Sequence, residues 1–238
     1  MTNYHNIFNI LILRNFIKLI TPNIFVNQLK NLEFQFATKP RFVITGTGRC
    51  GTGYISKLLT EYGINCGHEA IFSYNGVRNK FGYTGDASWL AAPYLQKYNG
   101  IVIHQVRHPL RVINSLLGIK FFDNSAKNPY SKFAKHYCKT TNDVLKDTMK
   151  FYILWNRMCE ENAIFRYQVE KIDKSFPQII QTIIPNHKYD SKKAYNVLQN
   201  TSKKINTRNK EKYKLKDLPD GNLKSELVRL AADYGYIL

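Results

Sequence analysis

Apolar residues recur along this chain in two rhythms, one that suits buried strands and one that suits helices. Residues 42–45, Phe-Val-Ile-Thr, are a short apolar, β-branched run that ends abruptly in glycines, the pattern of a buried strand. Ile55, Leu58, Leu59 and Tyr62 then recur at helical spacing. Residues 64–69 read as a short strand that carries His68 and Glu69 to a sheet edge, and 73–86 read as a glycine-punctuated loop over that edge. Asp86 is expected to cap a helix running to about Tyr98, with Trp89 in the core. A strand follows at 101–106, then a helix at 109–117 with Pro109 in its first turn and Leu110, Ile113, Leu116 and Leu117 facing inward. Residues 119–140 are basic and aromatic without a clean period. A long helix is expected over 141–163, a strand over 164–169 ending at a structural Glu170, and a closing amphipathic helix over 223–234 that stops at Gly235. Strands alternating with helices predict an α/β fold: a three-layer parallel sheet with flanking helices and its ligand at the C-terminal strand edge.

Size and composition narrow this further. The 238 residues, 44% hydrophobic, suffice for one domain with a substantial core, and no repeat of 20–50 residues is present. We divide the chain into an apolar and basic N-terminal helical extension, 1–36, and an α/β domain, 37–238. Residues 6–26 are the most apolar stretch, but Arg14, Lys18 and Pro22 interrupt it. They suit a helix packed on the domain or lying on a membrane surface, with a transmembrane anchor as the alternative. No small-residue cleavage site of the signal-peptide kind is seen. The four cysteines, Cys50, Cys66, Cys138 and Cys159, form no C-x-x-C pair and read as reduced thiols. The expected location is therefore cytoplasmic, with membrane association through 6–26. A net charge of +18 calls for an anionic partner: a nucleotide, an anionic acceptor, nucleic acid or a membrane surface. No metal-ligand cluster is expected, since His104 and His108 are separated by a strand end and a proline turn.

The glycine-rich turn at 46–53 carries the candidate chemistry. A strand that turns sharply into a helix N-terminus aims backbone N–H groups and positive dipole at one spot, where an anion binds. Three motifs compete for it. Gly46-Thr47-Gly48-Arg49-Cys50-Gly51 satisfies the dinucleotide pattern G-x-G-x-x-G, but 65–68 is a poor second strand for Glu69 to close. The Walker A pattern finds Gly46 and Gly51, yet Thr52 stands in place of its lysine and Gly53 in place of its Mg²⁺-binding hydroxyl. The third is a related loop with its cation moved back to Arg49, which suits a 5′-phosphate carrying a sulfuryl group and needs no metal.

Arg49-Cys50-Gly51-Thr52-Gly53-Tyr54 follows, in order, a basic residue, a small residue, Gly, Thr, a small residue and an aromatic. Arg107 ends a strand and Ser115 follows eight residues later. Together these resemble the two signatures of the sulfotransferases that use 3′-phosphoadenosine 5′-phosphosulfate (PAPS), and the resemblance extends over 40–238. It implies a P-loop-like sulfotransferase fold and transfer of a sulfuryl group from PAPS to an acceptor hydroxyl on a glycan or small molecule, without metal. It also implies that Gly48, Arg49, Cys50, Gly51, Thr52, Gly53 and Tyr54 cradle the 5′-phosphosulfate, and that Arg107 and Ser115 hold the 3′-phosphate. Glu69, followed by Ala70-Ile71-Phe72, looks like the general base of the glycan-modifying branch; His68 is the alternative base. Residues 119–140 would help line the acceptor pocket. Arg208, within Thr207-Arg208-Asn209-Lys210, stands where the family closes its nucleotide site with a late basic loop. The best-known cytosolic members have lysine where this chain has Arg49, and an arginine assists by charge rather than by giving up a proton. From 188 to 216 there are ten Lys/Arg against two acidic residues. Two other readings stay open: a non-catalytic nucleic-acid-binding module, and a P-loop enzyme of the nucleotide-kinase kind.

Overall fold

The structure is a computed structural model that describes residues 40–78, 82–123, 128–141, 143–186, 188–201 and 213–238. The expected N-terminal helix at 6–26 and Arg208 both lie outside the described residues.

Five parallel strands form one sheet: β1 (Phe42–Thr45), β2 (Cys66–His68), β5 (Gly85–Ala87), β6 (Ile101–Val106) and β7 (Phe165–Gln168). They lie in the spatial order β2-β5-β1-β6-β7, with β1 at the centre and buried along its whole length. The remaining two strands, β3 (Phe72–Ser73) and β4 (Gly76–Val77), form a separate antiparallel hairpin. The helices are α1 (Thr52–Glu61), α2 (Pro109–Gly118), α3 (Pro129–Tyr137), α4 (Val144–Glu160), α5 (Ile172–Ile183), α6 (Ser191–Asn200) and α7 (Asn222–Asp233). One face of the sheet is covered by α1, α5 and α6 through residues such as Leu58, Phe176, Ile180 and Val197. The other face carries α2, α4 and α7, with Ile113, Phe151, Trp155 and Leu230 among the packed residues. A strand covered on both faces cannot alternate polar with apolar, which is why β1 is a continuous apolar run.

Several expectations change. Residues 73–86 are not simply a loop, because the β3–β4 hairpin and the start of β5 fall inside them. Asp86 is not a helix cap: it lies within β5, fully buried, and Ser88 caps the following segment by accepting from the Leu90 amide at 3.2 Å. That segment, Trp89–Lys97, is a 3-10 helix with Pro93 inside it. Basic, aromatic 119–140 contains α3, whose inner face is Phe133 and Ala134 flanked by the half-buried Tyr130 and Tyr137, a helical spacing obscured by the lysines between them and by a buried Ser131. The long helix is shorter at both ends than 141–163, starting after Asp143, whose carboxylate accepts from the Leu145 and Lys146 amides.

Chain direction fixes where a ligand can sit. From β1 the chain crosses to β2 on one side, while from β6 it continues to β7 on the other. The loops leaving β1 and β6 therefore diverge and open a crevice between two adjacent strand ends, the usual binding position in an open parallel sheet.

Candidate functional site

Both sequence signatures lie in that crevice. Leaving β1, the chain passes Arg49 and Gly51, each in the left-handed region at φ 72° and φ 105°. Gly51 is the N-cap of α1 and offers no capping side chain, and no acidic residue occupies the first turn. The helix start is thus left to whatever anion approaches it. Below the loop, Gln105 of β6 donates from Nε2 to the Cys50 carbonyl at 2.8 Å, and the Tyr167 hydroxyl donates to Gln105 Oε1. A glutamine fully buried in an apolar strand is the signal of this brace, although 101–106 has the pattern of an ordinary core strand.

Leaving β6, Arg107 donates from Nη1 to the Arg49 carbonyl at 2.9 Å. Arg49 in turn donates from Nε to Ser115 Oγ, on α2, at 2.9 Å. Two signatures 58 residues or more apart in sequence therefore interlock directly. Gly48, Arg49, Gly51, Thr52, Gly53, Tyr54 and Arg107 all line one cleft of about 280 Å³, whereas Ser115 is not on its lining and is joined to it only through Arg49. Cys50 does not line it. Its thiol is turned into the core, where burial pushes its pKa up to about 12 against the opposing influence of Arg107, so it stays protonated and unreactive.

His68 and Glu69 line the same cleft. Strict strand alternation would have sent them to opposite faces. It fails because β2 ends at His68 and Glu69 takes φ 53°, which turns its side chain back toward the site. His68 Nε2 lies 3.3 Å from Thr52 Oγ1 and 3.7 Å from Glu69 Oε1, so the imidazole bridges the loop and the carboxylate. The turn after Glu69 is held by buried Asp86, whose two carboxylate oxygens accept from the amides of Ala70, Ile71 and Phe72 at 3.1, 3.1 and 2.9 Å. Burial raises the Asp86 pKa, and the three amides oppose that rise.

The rest of the cleft is lined by Trp89, Leu116, Ile119, Phe121, Asn128 and Tyr130. Of these, Trp89 was expected only in the core; it is both buried and on the cleft wall. Phe121, Asn128 and Tyr130 come from the segment that the resemblance assigns to the acceptor pocket. Among the described residues no group of three or more His, Cys, Asp and Glu side chains could hold a metal ion, and no helix is long and apolar enough to cross a membrane. In comparisons with known proteins, no family model, no curated protein and no solved structure matches this chain.

Proposed function

We propose that this chain is a PAPS-dependent sulfotransferase with a P-loop-like fold. The observation that carries the reading is the interlock of Arg107 and Ser115 through Arg49 at the side of one cleft, since it joins the two halves that a nucleotide with both a 5′-phosphosulfate and a 3′-phosphate requires. The loop fits such a group: its helix start is uncapped, and two guanidinium-bearing residues line the cleft beside it. PAPS would supply the sulfuryl group and a weakly basic leaving phosphate. The amides of the loop and the Arg49 charge would stabilise negative charge as it builds on the bridging oxygen. Arg107 and Ser115 would hold the 3′-phosphate, and Glu69 would take the proton of the acceptor hydroxyl. His68, in contact with Thr52 and Glu69, would orient the carboxylate relative to the loop.

Calorimetry in EDTA with 3′-phosphoadenosine 5′-phosphate, against ATP with Mg²⁺ and an RNA oligomer, tests this. Metal-independent binding of the 3′-phosphorylated nucleotide is expected, because the loop has Thr52 and Gly53 where a triphosphate and its Mg²⁺ need a lysine and a hydroxyl. A strict requirement for Mg²⁺, or preference for RNA, would remove the reading.

A further inference from the structure

The cleft has two unlike walls. Facing the phosphate loop is an apolar one built from Trp89, Leu116, Ile119, Phe121 and Tyr130. Trp89 is its hub: its ring meets Phe121 edge-on at 6.0 Å and lies 6.2 Å from Tyr130 at a tilt of 35°. Tyr130 is fixed in turn by an edge-on contact with Tyr74 at 4.9 Å. The rings hold one another in place, so this wall exists before any ligand arrives. Glu69 lines the same cleft, and its charge adds to burial in raising the Tyr130 pKa.

Polar partners are scarce along this wall. Among the described residues lining it, Asn128 carries the sole carboxamide, and its Oδ1 already accepts from the Tyr130 amide at 3.0 Å. A sugar ring seated there would lose water from several hydroxyls and regain few hydrogen bonds. A flat apolar ring with one hydroxyl has a single polar group to satisfy, and Glu69 and His68 are where that group would fall. A phenolic hydroxyl, which ionises near pH 10 like that of tyrosine, also gives up its proton more readily than an aliphatic one.

We infer that the Trp89–Phe121–Tyr130 wall is the acceptor subsite and that it takes an aromatic alcohol of the phenol class. This rests on the sulfotransferase reading above. In the step it serves, the phenol proton passes to the Glu69 carboxylate and the phenol oxygen bonds to sulfur. The bond from sulfur to the bridging phosphate oxygen breaks, and its electron pair leaves on that phosphate.

The test uses the full chain and compares 2-naphthol with N-acetylglucosamine and a heparan-type oligosaccharide as acceptors of sulfate from PAPS. The expected result is a kcat/KM for 2-naphthol at least tenfold above either sugar. Ile119 is half-buried on the same wall, so Ile119→Trp should fill the subsite. It should lower 2-naphthol turnover at least tenfold and leave affinity for 3′-phosphoadenosine 5′-phosphate within twofold. Preferential transfer to either sugar, transfer to none of the three, or an Ile119→Trp variant with unchanged 2-naphthol kinetics would overturn the proposal. If the nucleotide itself does not bind, the sulfotransferase reading fails instead. Equilibrium dialysis of 2-naphthol against the nucleotide-free protein then decides the subsite alone: saturable binding lost in Ile119→Trp upholds it, and no binding overturns it.

Discussion

Glu69 and Arg49 are two of only three non-glycine residues with positive φ among the described residues, the other being Lys120. A left-handed backbone costs an ordinary L-residue about 1–2 kcal/mol, and such strain persists where surrounding contacts over-determine it. At Glu69 those contacts are visible, because its own amide donates to the Ala87 carbonyl at 3.3 Å and the next three amides are held by Asp86. The strain is what brings the carboxylate onto the same side as His68. Glu69→Gln keeps the size and much of the hydrogen bonding but cannot accept a proton. Sulfate transfer should fall about 10²–10⁴-fold, while calorimetric affinity for 3′-phosphoadenosine 5′-phosphate stays near wild type. His68→Gln should lose less, since an amide can still span Thr52 and Glu69. The reverse order of losses would make His68 the base. Glu69→Gly gives a second check by thermal denaturation: glycine adopts this backbone freely, so an inactive variant no less stable than wild type is expected.

Arg107 depends on elements distant in sequence. Its carbonyl accepts from the Tyr152 hydroxyl, on α4, at 2.9 Å. The adjoining His108 amide donates to Glu170 at 3.1 Å, and the other oxygen of that carboxylate accepts from the Tyr236 hydroxyl at 2.7 Å. Glu170 is thus structural, as its position at a strand end suggested. Because Arg107 also grips the Arg49 carbonyl, its loss should be felt by every nucleotide, and most by those with a 3′-phosphate. Arg107→Ala should cost 3′-phosphoadenosine 5′-phosphate about 2–3 kcal/mol more than it costs AMP, the worth of a charge-assisted contact. Calorimetry on both ligands checks this, and equal losses would leave Arg107 with a purely structural role. Elements with long apolar runs, such as β1 and β6, were legible in the sequence. β5 was not, because Gly-Asp-Ala has neither period nor bulk. Its glycine is there for Phe42: a Cβ at Gly85 would come within 2.2 Å of that ring. Its aspartate faces loop amides rather than a helix start.

At the scale of the whole molecule, strand–helix alternation revealed a parallel sheet and the edge at which its cleft opens. The order of strands, and so the crevice between β1 and β6, depends on contacts that no local pattern records. That the glycine-rich loop and Arg107 meet at one cleft was legible because both follow strands of the same sheet and leave it at the same edge. Of the aromatic wall, the 119–140 segment was expected but Trp89 was not, since Trp89 obeys the same apolar pattern whether it faces the core or the cleft. Beneath β6 the same packing creates a pH liability. His104 is fully buried; it donates from Nε2 to Asn156 Oδ1 at 2.9 Å, and its Nδ1 has no hydrogen-bond partner. The edge of the Tyr234 ring packs on it, and the positive charge of Arg166 acts on it as well. Burial first, and Arg166 as a smaller influence, lower its pKa from 6.5 to about 4, while the Asn156 bond opposes them. The folded protein therefore holds His104 neutral while the unfolded chain takes up a proton below pH 6.5. The stability associated with the neutral ring is fully present above that pH and is lost as pH falls toward 4. Urea unfolding at pH 7.5 and pH 5 should differ by about 2 kcal/mol on this account. His104→Gln removes the titration while retaining an N–H donor for Asn156. Carboxylates titrate alike in both proteins, so the wild type should lose about 2 kcal/mol more than the variant between the two pH values. Parallel losses in the two proteins would mean that His104 is already solvated or protonated in the native state.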